Sequence, residues 1–571
     1  GISLDKGLLK KWPEEGPKVA WQIDTAGVGY SSISVGGGRI FTMGDLNGIE
    51  HVIALKESDG SVLWAVAPSG AKLQGRVASE MKRRDKNGDG KLDEAEALNA
   101  FGWTFNRSDK PGKGDPRAIA AARAKWIFPK LDKNNDGFLS ASEAHRFGSE
   151  LSRIDSRDPD SDAGTIAKSR ADAYIESLDK NGDGTLSAEE VRYTVLRRAY
   201  RGMDIRDKAT GKGDGQVTAQ EIARYLKRRE PGRDGKISQA ELENHYATRL
   251  PGRDGSISPE DLKGLYGGYR NGRGDGPRGT PSIDGDRVYT EGGTGDITCL
   301  DAATGKTIWQ VTLAELGGRV PGWGFSESPL VEGNLVIVTP GGSKGTLAAL
   351  DKNTGKLVWQ SDEEKQPAHY SSPVAAEIGG IRQIVQLARQ SCFAVTAVKG
   401  RLLWKYSGAN NGTANVTTPI VHNDHVFVSS SYGTGGGLAR ISAADGKQKA
   451  EQVYFEKRMS NHHGGIVKVG DYMYGFGSGG LICMDFMTGK IAWSDRSVSK
   501  GSLVVADGML YLLGERQQVA LAEATHLGYR EHGRFSIPNR GFPSWAHPVV
   551  TGGRFYIRDQ HTLTAYDVRA K

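Results

Sequence analysis

Cysteine is scarce in this chain of 571 residues, which contains only Cys299, Cys392 and Cys483. Their wide spacing gives neither a disulfide framework nor a CxxC metal site. We therefore expect three small, buried hydrophobic side chains. No apolar run is long enough to cross a bilayer, so the sequence predicts no transmembrane segment.

The chain also lacks a large excess of charge of either sign. The net charge is +7 over the whole length, and no block of basic residues lies beside aromatic residues. This distribution does not favour nucleic-acid binding, so we expect no nucleic-acid partner. The chain starts at Gly1 and shows no signal peptide. We expect a monomer that is secreted or periplasmic, with its signal peptide removed.

Glycine, by contrast, is abundant with 78 residues, and much of it lies in a repeated motif. The clearest copy is Leu300 to Trp309, LDAATGKTIW, and further copies start at Leu55, Leu350, Val395 and Met484. Each has an apolar start, a polar turn with Gly, and alternating apolar residues that end in Trp. This pattern predicts a β-hairpin, because Gly adopts positive φ without strain. One hairpin cannot bury its Trp, so the units must stack on one another.

The repeat has the period of a four-stranded propeller blade. Aligned hairpin starts lie at Ala54, Cys299, Ala349, Ala394, Arg440, Cys483, Ala520 and Ala565. These positions predict eight blades, the last of which ends at Lys571 before its outer strand. Residues 19–23 can supply that strand, and closure would remove open sheet edges.

These residues resemble the quinoprotein-like (PQQ-type) β-propeller repeat, whose signature is LDxxTGKxxW. The resemblance covers residues 18–66 and 278–571 and is degraded at 440–450 and 520–530, which lack the Trp. The chain also resembles secreted propeller proteins of planctomycete-type bacteria, through stretches such as residues 276–281 and 461–465. The implied fold class is mainly β, an eight-bladed β-propeller.

The first interval between hairpins is far longer than the others and marks an insertion. From about Pro68 the sequence becomes rich in Ala, Arg, Glu and Asp and shows helical periodicity. This segment ends at a Gly/Arg-rich linker from Asn271 to Arg278. We therefore divide the chain into residues 1–66, blade 1 with the closing strand; 67–277, an inserted all-α EF-hand domain; and 278–571, blades 2–8. A surface connection between blades tolerates such an insertion.

Three loops in the insertion match the EF-hand pattern D-x-[DN]-x-[DN]-G-x5-E. Their residues at positions 1, 3, 5, 7, 9 and 12 are the expected Ca²⁺ ligands, with position 7 acting through its carbonyl. These are Asp85, Asn87, Asp89, Lys91, Asp93 and Glu96; Asp132, Asn134, Asp136, Phe138, Ser140 and Glu143; and Asp179, Asn181, Asp183, Thr185, Ser187 and Glu190.

A second, degenerate series follows at Asp214, Asp234 and Asp254, with acidic residues at the position-12 register in Glu221, Glu241 and Asp261. The position-1 residues are Thr210, Glu230 and Leu250, of which only Glu230 is a plausible ligand. The site at Asp214 and Glu221 could borrow Asp204 or Asp207 through a longer loop. We expect three or four Ca²⁺ sites, with the Asp214 hand pairing with the third.

The resemblance also raises the question of a quinone cofactor, which the cysteines of the sequence can answer. Quinoprotein dehydrogenases hold PQQ with a vicinal cysteine disulfide, and this sequence has no adjacent cysteines. Cys299 and Cys483 fall on opposite blades and cannot bridge, because a disulfide needs Cα atoms within about 7 Å. We expect the fold without PQQ.

Residues just before each inner strand should ring one mouth of the axial channel, where propellers build binding sites. The candidates are Tyr30, Arg278, Glu327, His369, Tyr370, His462, His463, Lys500, Trp545 and His547. One alternative is a transition-metal site on His463, His547 and either His462 or His369. Another is a site for an anionic ligand on Arg278, Lys500 and the imidazoles. A third is a hydrated rim without a ligand.

The favoured interpretation is a Ca²⁺-binding propeller that acts through binding at the channel mouth, with Ca²⁺ in a structural role. Its partner would be an anionic glycan, a small molecule or another protein. The alternative is an enzyme, either an oxidoreductase of quinoprotein type or a polysaccharide-active enzyme using the His/Arg rim. No Ser/His/Asp nucleophile or phosphate loop stands out, so the catalytic residues are unknown.

Overall fold

The computed structural model describes residues 1–68, 70–101, 114–140, 143, 154, 162–192, 195–198, 200–204, 213–229, 233–249, 255–259, 262, 276–444 and 447–570. Two compact units result, one of Gly1–Gln74 with Lys263–Lys571 and one of Gly75–Leu262. Among the described residues, no helix combines the length and apolarity needed to cross a membrane.

The first unit contains eight antiparallel four-stranded sheets, each of which is one propeller blade. The strands of blades 1–4, from the inner to the outer, are Ser34–Gly36, Arg39–Leu46, Ile49–Lys56 and Val62–Val66; Ser282–Asp284, Arg287–Glu291, Asp296–Asp301 and Thr307–Thr312; Leu330–Glu332, Leu335–Val338, Ala348–Asp351 and Leu357–Gln360; and Val374–Ile378, Ile381–Leu387, Cys392–Thr396 and Leu402–Tyr406. Those of blades 5–8 are Ile420–His422, His425–Ser430, Gly435–Ala444 and Lys447–Glu456; Ile466–Val469, Tyr472–Gly477, Gly480–Asp485 and Ile491–Asp495; Gly501–Ala506, Met509–Gly514, Gln518–Glu523 and Glu531–Ser536; and Val549–Thr551, Arg554–Asp559, Thr562–Asp567 and Val19–Ile23.

The ring closes through the N-terminal strand Val19–Ile23, which pairs with Thr562–Asp567 of the last blade. Residues before this strand also join the core, where Trp12 is 3% exposed and stacks on Phe555 at 5.9 Å between ring centroids. The N-terminal strand covers the edge of Thr562–Asp567, which would otherwise be open to pairing with other chains.

Adjacent inner strands are joined by short side-chain hydrogen bonds from Ser and Thr. The Thr280 amide donates to Ser328 Oγ at 3.1 Å, and the Ser328 amide donates to Ser372 Oγ at 2.9 Å. Ser32 Oγ donates to the His547 carbonyl at 2.6 Å across the closing junction. Small hydroxyl residues before the inner strands therefore hold successive blades in register around the channel.

The repeated Trp fixes each blade to the next. The indole Nε1 atoms of Trp64, Trp309 and Trp359 donate to backbone carbonyls of the following blade at 3.2, 3.0 and 3.1 Å. Each Trp ring covers the turn glycine of that blade, so a Cβ at Gly355 would lie 2.7 Å from Trp309 Cε3. The Trp and Gly of the motif are thus partners across a blade junction.

In blade 5 the hairpin start lies at Leu438 and not at Arg440, where the sequence alignment predicts it. Its outer hairpin, Gly435–Ala444 and Lys447–Glu456, is longer, and Tyr454 lies opposite Leu438 where other blades place Trp. Tyr454 Oη donates to the Phe486 carbonyl of blade 6 at 2.7 Å. The tyrosine hydroxyl therefore supplies the junction hydrogen bond that the missing Trp would give.

The second unit is helical. Its α-helices are Gly70–Arg84, Glu94–Phe101, Pro116–Leu131, Ala163–Leu178, Tyr200–Met203, Ala219–Arg229 and Gln239–Arg249, with a 3-10 helix at Val195–Arg198. Short strands between them are Leu92–Asp93, Phe138–Leu139, Thr185–Ser187, Gln216–Thr218, Ile237–Ser238 and Ser256–Ile257. Each strand lies in one EF-hand loop.

These short strands pair the six loops in a nested order. The first loop pairs with the sixth, the second with the fifth, and the third with the fourth. The sequence predicts the third pairing, in which Leu186 lies opposite Val217. The apolar residue at the centre of each of these strands is completely buried, as Leu186 and Val217 illustrate at 0% exposure. Each complete loop is therefore packed against a degenerate one.

Candidate functional site: calcium loops and channel mouth

The three complete loops share one internal hydrogen-bond pattern. In the first, the Asp85 carboxylate accepts from the Gly88 and Gly90 amides at 2.7 and 2.9 Å. Glu96 accepts from the Lys86 and Asp93 amides at 2.7 and 3.0 Å, which closes the loop end to end. Positions 1 and 12 thus face the loop interior.

The other two complete loops repeat this arrangement. Asp132 accepts from the Gly137 amide at 3.1 Å, and Glu143 accepts from the Lys133 amide at 2.9 Å. In the third loop, Glu190 accepts from the Ser187 and Lys180 amides at 2.8 Å each. The Ser187 amide and hydroxyl hydrogen bonds lower the pKa of Glu190 to about 2, so it is anionic at neutral pH.

The donor set suits Ca²⁺, which prefers six to eight hard oxygen ligands in flexible geometry. Each complete loop offers carboxylates, an amide oxygen at position 3 and a carbonyl at position 7. The carboxylates accept hydrogen bonds from the loop backbone. No three His, Cys, Asp or Glu side chains converge as a metal cluster anywhere in the described ranges.

The fourth loop keeps a partial ligand set. Glu221 accepts from the Thr218 amide and hydroxyl at 2.9 Å each, as Glu190 does from Ser187. Asp214 accepts from the Gln216 amide at 2.9 Å, which matches a position-5 residue. Asp204 packs so tightly on Gly213 that a Cβ there would lie 2.0 Å from Asp204 Oδ1. Asp204 therefore reaches this loop, whereas Asp207 and Thr210 lie outside the described residues.

In the fifth and sixth loops, side chains from neighbouring helices pack against the turn glycine. A Cβ at Gly235 would lie 2.4 Å from Arg170 Nε, so a guanidinium covers the fifth loop. In the sixth, a Cβ at Gly255 would lie 2.6 Å from Ile119 Cγ1. A cationic and an apolar group at these places do not favour Ca²⁺. Glu230, Leu250, Asp254 and Asp261 lie outside the described residues.

The structure brings several of the predicted mouth residues into one group, which we call the mouth cluster. It contains Arg278, Tyr30, Trp545, His463, His462 and Lys500, and two residues that the sequence did not suggest, Glu515 and Tyr432. Ring centroids of Tyr30 and Trp545 lie 5.0 Å apart, and those of Trp545 and His463 lie 5.1 Å apart. Arg278 Cζ lies 5.0 Å from the centre of the Tyr30 ring.

Glu515 is the polar centre of the mouth cluster. Its Oε2 accepts from Trp545 Nε1 at 3.2 Å and lies 3.2 Å from Lys500 Nζ and 3.5 Å from His463 Nε2. Burial would raise the pKa of Glu515, but hydrogen bonds from His463 and Trp545 and the charge of Lys500 lower it to about 2. The cluster therefore contains a permanent carboxylate.

Both missed residues lie within two positions of the end of a blade's second strand. Glu515 follows Met509–Gly514, and Tyr432 follows His425–Ser430 and hydrogen bonds to His462 Nε2 at 3.0 Å. The second strand runs antiparallel to the inner strand, so its end reaches the same mouth as the residues before the inner strand. This position in each repeat is the signal that would have found them.

The imidazoles of the mouth are neutral at physiological pH. Burial lowers the pKa of His462 to about 3 and that of His547 to about 4. His547 Nε2 donates to the His463 carbonyl at 2.7 Å, because a carbonyl oxygen only accepts. This contact occupies His547 Nε2, and Tyr432 and Lys500 occupy the two ring nitrogens of His462, so these groups do not favour the transition-metal alternative. Positive charge at the mouth comes from Arg278 and Lys500.

The remaining predicted mouth residues lie in other surroundings. His369 and Tyr370 stack at 5.2 Å, and Tyr370 lies 5.6 Å from Trp323, away from the mouth cluster's contacts. His369 Nδ1 accepts from the Asn415 amide at 3.0 Å. Glu327 is 3% exposed and faces Glu291 inside the ring.

Comparison with known proteins agrees with this architecture. Residues 233–495 match a family model described as outer membrane protein assembly factor BamB, and residues 125–147 and 171–192 match an EF-hand model. No curated protein sequence matches the chain.

Among solved structures, BamB from Moraxella catarrhalis is 18% identical over 51% of this chain and 83% of its own, with a TM-score of 0.40. Quinohemoprotein alcohol dehydrogenase from Comamonas testosteroni is 11% identical over 52% of this chain and 67% of its own, with a TM-score of 0.36. The computationally designed Ika8 protein is 12% identical over 50% and 95%, with a TM-score of 0.30. This chain folds as an eight-bladed β-propeller, and its helical insertion carries EF-hand motifs.

Proposed function

We propose that the protein is a secreted or periplasmic Ca²⁺-binding propeller that takes a hydroxyl-rich, acidic ligand, such as an anionic glycan, at the mouth cluster. Ca²⁺ has a structural role in the helical unit. The observation that carries the Ca²⁺ part is the repeated loop geometry, in which the carboxylates of Asp85 and Glu96, and their counterparts, face the loop interior. Compartments with millimolar Ca²⁺ saturate even weak EF-hand sites.

The ligand part is supported by the chemistry of the mouth cluster. The half-buried Trp545 ring, which packs on the buried Tyr30, supplies a surface for stacking, and the Glu515 carboxylate accepts hydrogen bonds from hydroxyl groups. The guanidinium of Arg278 suits an acidic group of the ligand, because its donors match a carboxylate in a bidentate manner.

The Ca²⁺ part is tested by titration of the full-length protein after treatment with a chelator. We expect three strong sites, a fourth weaker site and a marked rise in the unfolding temperature of the helical unit. Glu96→Gln, Glu143→Gln and Glu190→Gln should each remove one strong site, because the bidentate ligand at position 12 is lost. Absence of both bound Ca²⁺ and thermal stabilisation would overturn this part.

The ligand part is tested by screening neutral, carboxylated and sulfated oligosaccharides for binding. Trp545→Ala should abolish binding of the acidic glycans, whereas Trp323→Ala, beside Tyr370 and outside the mouth cluster, should leave it intact. Equal binding of neutral and acidic glycans would contradict the role of Arg278. Dye reduction with alcohols or sugars after PQQ is added would instead support the quinoprotein alternative.

A further inference from the structure

A buried pair of carboxylates lies inside the propeller, apart from the EF-hand loops. Glu291 ends the second strand of blade 2 and is 1% exposed, and Glu327 precedes the inner strand of blade 3 and is 3% exposed. The two residues pack around Gly279, where a Cβ would lie 2.4 Å from the Glu327 carbonyl oxygen and 3.2 Å from the Glu291 carbonyl oxygen. Burial and the nearby charge of Glu327 raise the pKa of Glu291 well above its usual range.

The pair has a surplus of acceptors and a shortage of donors. Glu327 accepts from the Thr339 amide at 2.5 Å, and its other oxygen lies 3.5 Å from Gln386 Nε2. Neither carboxylate oxygen of Glu291 has a hydrogen-bond partner in the part of the chain that the structure describes. A buried carboxylate is unfavourable unless it is compensated, so the two together call for a bound cation or a bound proton.

Gln386 adds a third unsatisfied acceptor. Its Nε2 donates to the Ser371 carbonyl at 2.9 Å and to Thr339 Oγ1 at 3.0 Å, which fixes the orientation of the amide. Its Oε1 is then left without a hydrogen-bond partner among the described residues, and the side chain is 1% exposed. Glu291, Glu327 and Gln386 come from blades 2, 3 and 4. Glu327 is the central member, because it packs with Glu291 around Gly279 and lies 3.5 Å from Gln386 Nε2.

We propose that Glu291, Glu327 and Gln386 form a further Ca²⁺ site within the propeller. The donors are all hard oxygens, and two carboxylates balance the charge of one divalent cation. Ca²⁺ suits the place better than Mg²⁺, which keeps several waters and demands octahedral geometry that a buried site of irregular side chains does not offer. The ion would tie three blades together and stabilise the ring.

The test uses full-length protein in which the position-12 residues of four hands are changed, Glu96→Gln, Glu143→Gln, Glu190→Gln and Glu221→Gln. After gel filtration in buffer without added Ca²⁺, we expect metal analysis to find one equivalent of Ca²⁺ retained. Complete loss of Ca²⁺ from this variant would overturn the proposal and would favour a proton shared between the two carboxyl groups. This outcome is independent of whether the EF-hands bind Ca²⁺ in the unmodified protein.

Two further variants of that protein identify the ligands. Adding Glu327→Gln or Glu291→Gln should release the retained Ca²⁺ and lower the unfolding temperature of the propeller in Ca²⁺. Adding Glu50→Gln, a change at a half-buried acid whose carboxylate accepts from the Gly293 amide, should leave the retained ion in place. Retention of Ca²⁺ in both pair variants would contradict the assignment to Glu291 and Glu327.

Discussion

The ring of Trp309 lies against Gly355 across the junction of blades 2 and 3. Trp309 Nε1 donates to the Lys352 carbonyl at 3.0 Å, and the ring lies so close to the turn that a Cβ on Gly355 would approach Trp309 Cε3 to 2.7 Å. Gly355 also has a φ of +71°, which disfavours any other residue. Two independent constraints therefore require glycine at this place.

Gly355→Ala should destabilise the propeller by about 3 kcal/mol, because it adds overpacking against Trp309 to the cost of a left-handed conformation. Gly333→Ala is the matched control. Gly333 has a φ of +58°, but nothing lies within 4 Å of a Cβ built there. We expect it to cost only about 1–2 kcal/mol. Urea unfolding in saturating Ca²⁺ measures both, and equal losses would show that the Trp contact contributes nothing.

The propeller could be predicted because its repeat is local and recurs many times. A turn glycine followed four positions later by Trp recurs in most hairpins and is enough to count blades, as Gly305 and Trp309 illustrate. Blade 5 was misaligned because Tyr454 replaces Trp at the end of a longer hairpin. The longer outer hairpin of blade 5 can be recognised in the sequence only when Tyr454 is already known to stand in the place of Trp.

The mouth was harder to predict than the fold. Residues before the inner strands were found from the repeat, but Glu515 and Tyr432 come from strand ends that carry no shared residue type. Glu291 was missed for a related reason, because its partner Glu327 belongs to the next blade. Contacts between blades depend on side-chain directions that a single strand pattern does not specify.

Asp204 should complete a Ca²⁺ site in the fourth EF-hand loop. Its Oδ1 is buried without a hydrogen-bond partner among the described residues, and it contacts Gly213 beside Asp214. Asp204→Asn should therefore lower the number of Ca²⁺ ions bound by one and leave the three strong sites unchanged.

Glu241→Gln in the fifth loop is the control for this change. Arg170 covers that loop, so we expect no effect on the Ca²⁺ stoichiometry. Isothermal titration at high protein concentration distinguishes the two variants. Loss of a site in Glu241→Gln, with none in Asp204→Asn, would reverse the assignment.

His369 should make the propeller less stable in acid. Burial lowers its pKa from 6.5 to about 4, so between these values the unfolded chain binds a proton that the folded protein does not. The free energy of unfolding is therefore highest above pH 6.5 and falls as the pH decreases through this window, by about 3 kcal/mol in full.

His369→Asn tests this contribution, since its Oδ1 can accept from the Asn415 amide as Nδ1 of His369 does at 3.0 Å. We expect the free energy of unfolding of this variant to depend less steeply on pH between 6.5 and 4. Urea midpoints measured across that range would decide the matter, and identical slopes for both proteins would exclude a contribution from His369.

Arg558 should be essential for closing the ring. It is 2% exposed, and its guanidinium donates to the carbonyls of Ser31, Gly27 and Gln560 at 3.0, 2.9 and 3.1 Å. Burial lowers its pKa to about 9, which still leaves it charged at neutral pH. These bonds join the last blade to blade 1 and to the segment that follows the closing strand.

Arg558→Lys should cost about 3–5 kcal/mol, because an ammonium cannot reach all of these carbonyls and leaves buried acceptors unpaired. Arg382→Lys is the control, since Arg382 donates to Glu332 on the exposed surface between blades 3 and 4. We expect that change to cost at most about 1 kcal/mol. Limited proteolysis should cut the Arg558→Lys protein first near residues 19–23, because the closing strand depends on this junction. Cleavage elsewhere, with that strand still protected, would show that its pairing with Thr562–Asp567 holds the ring without Arg558.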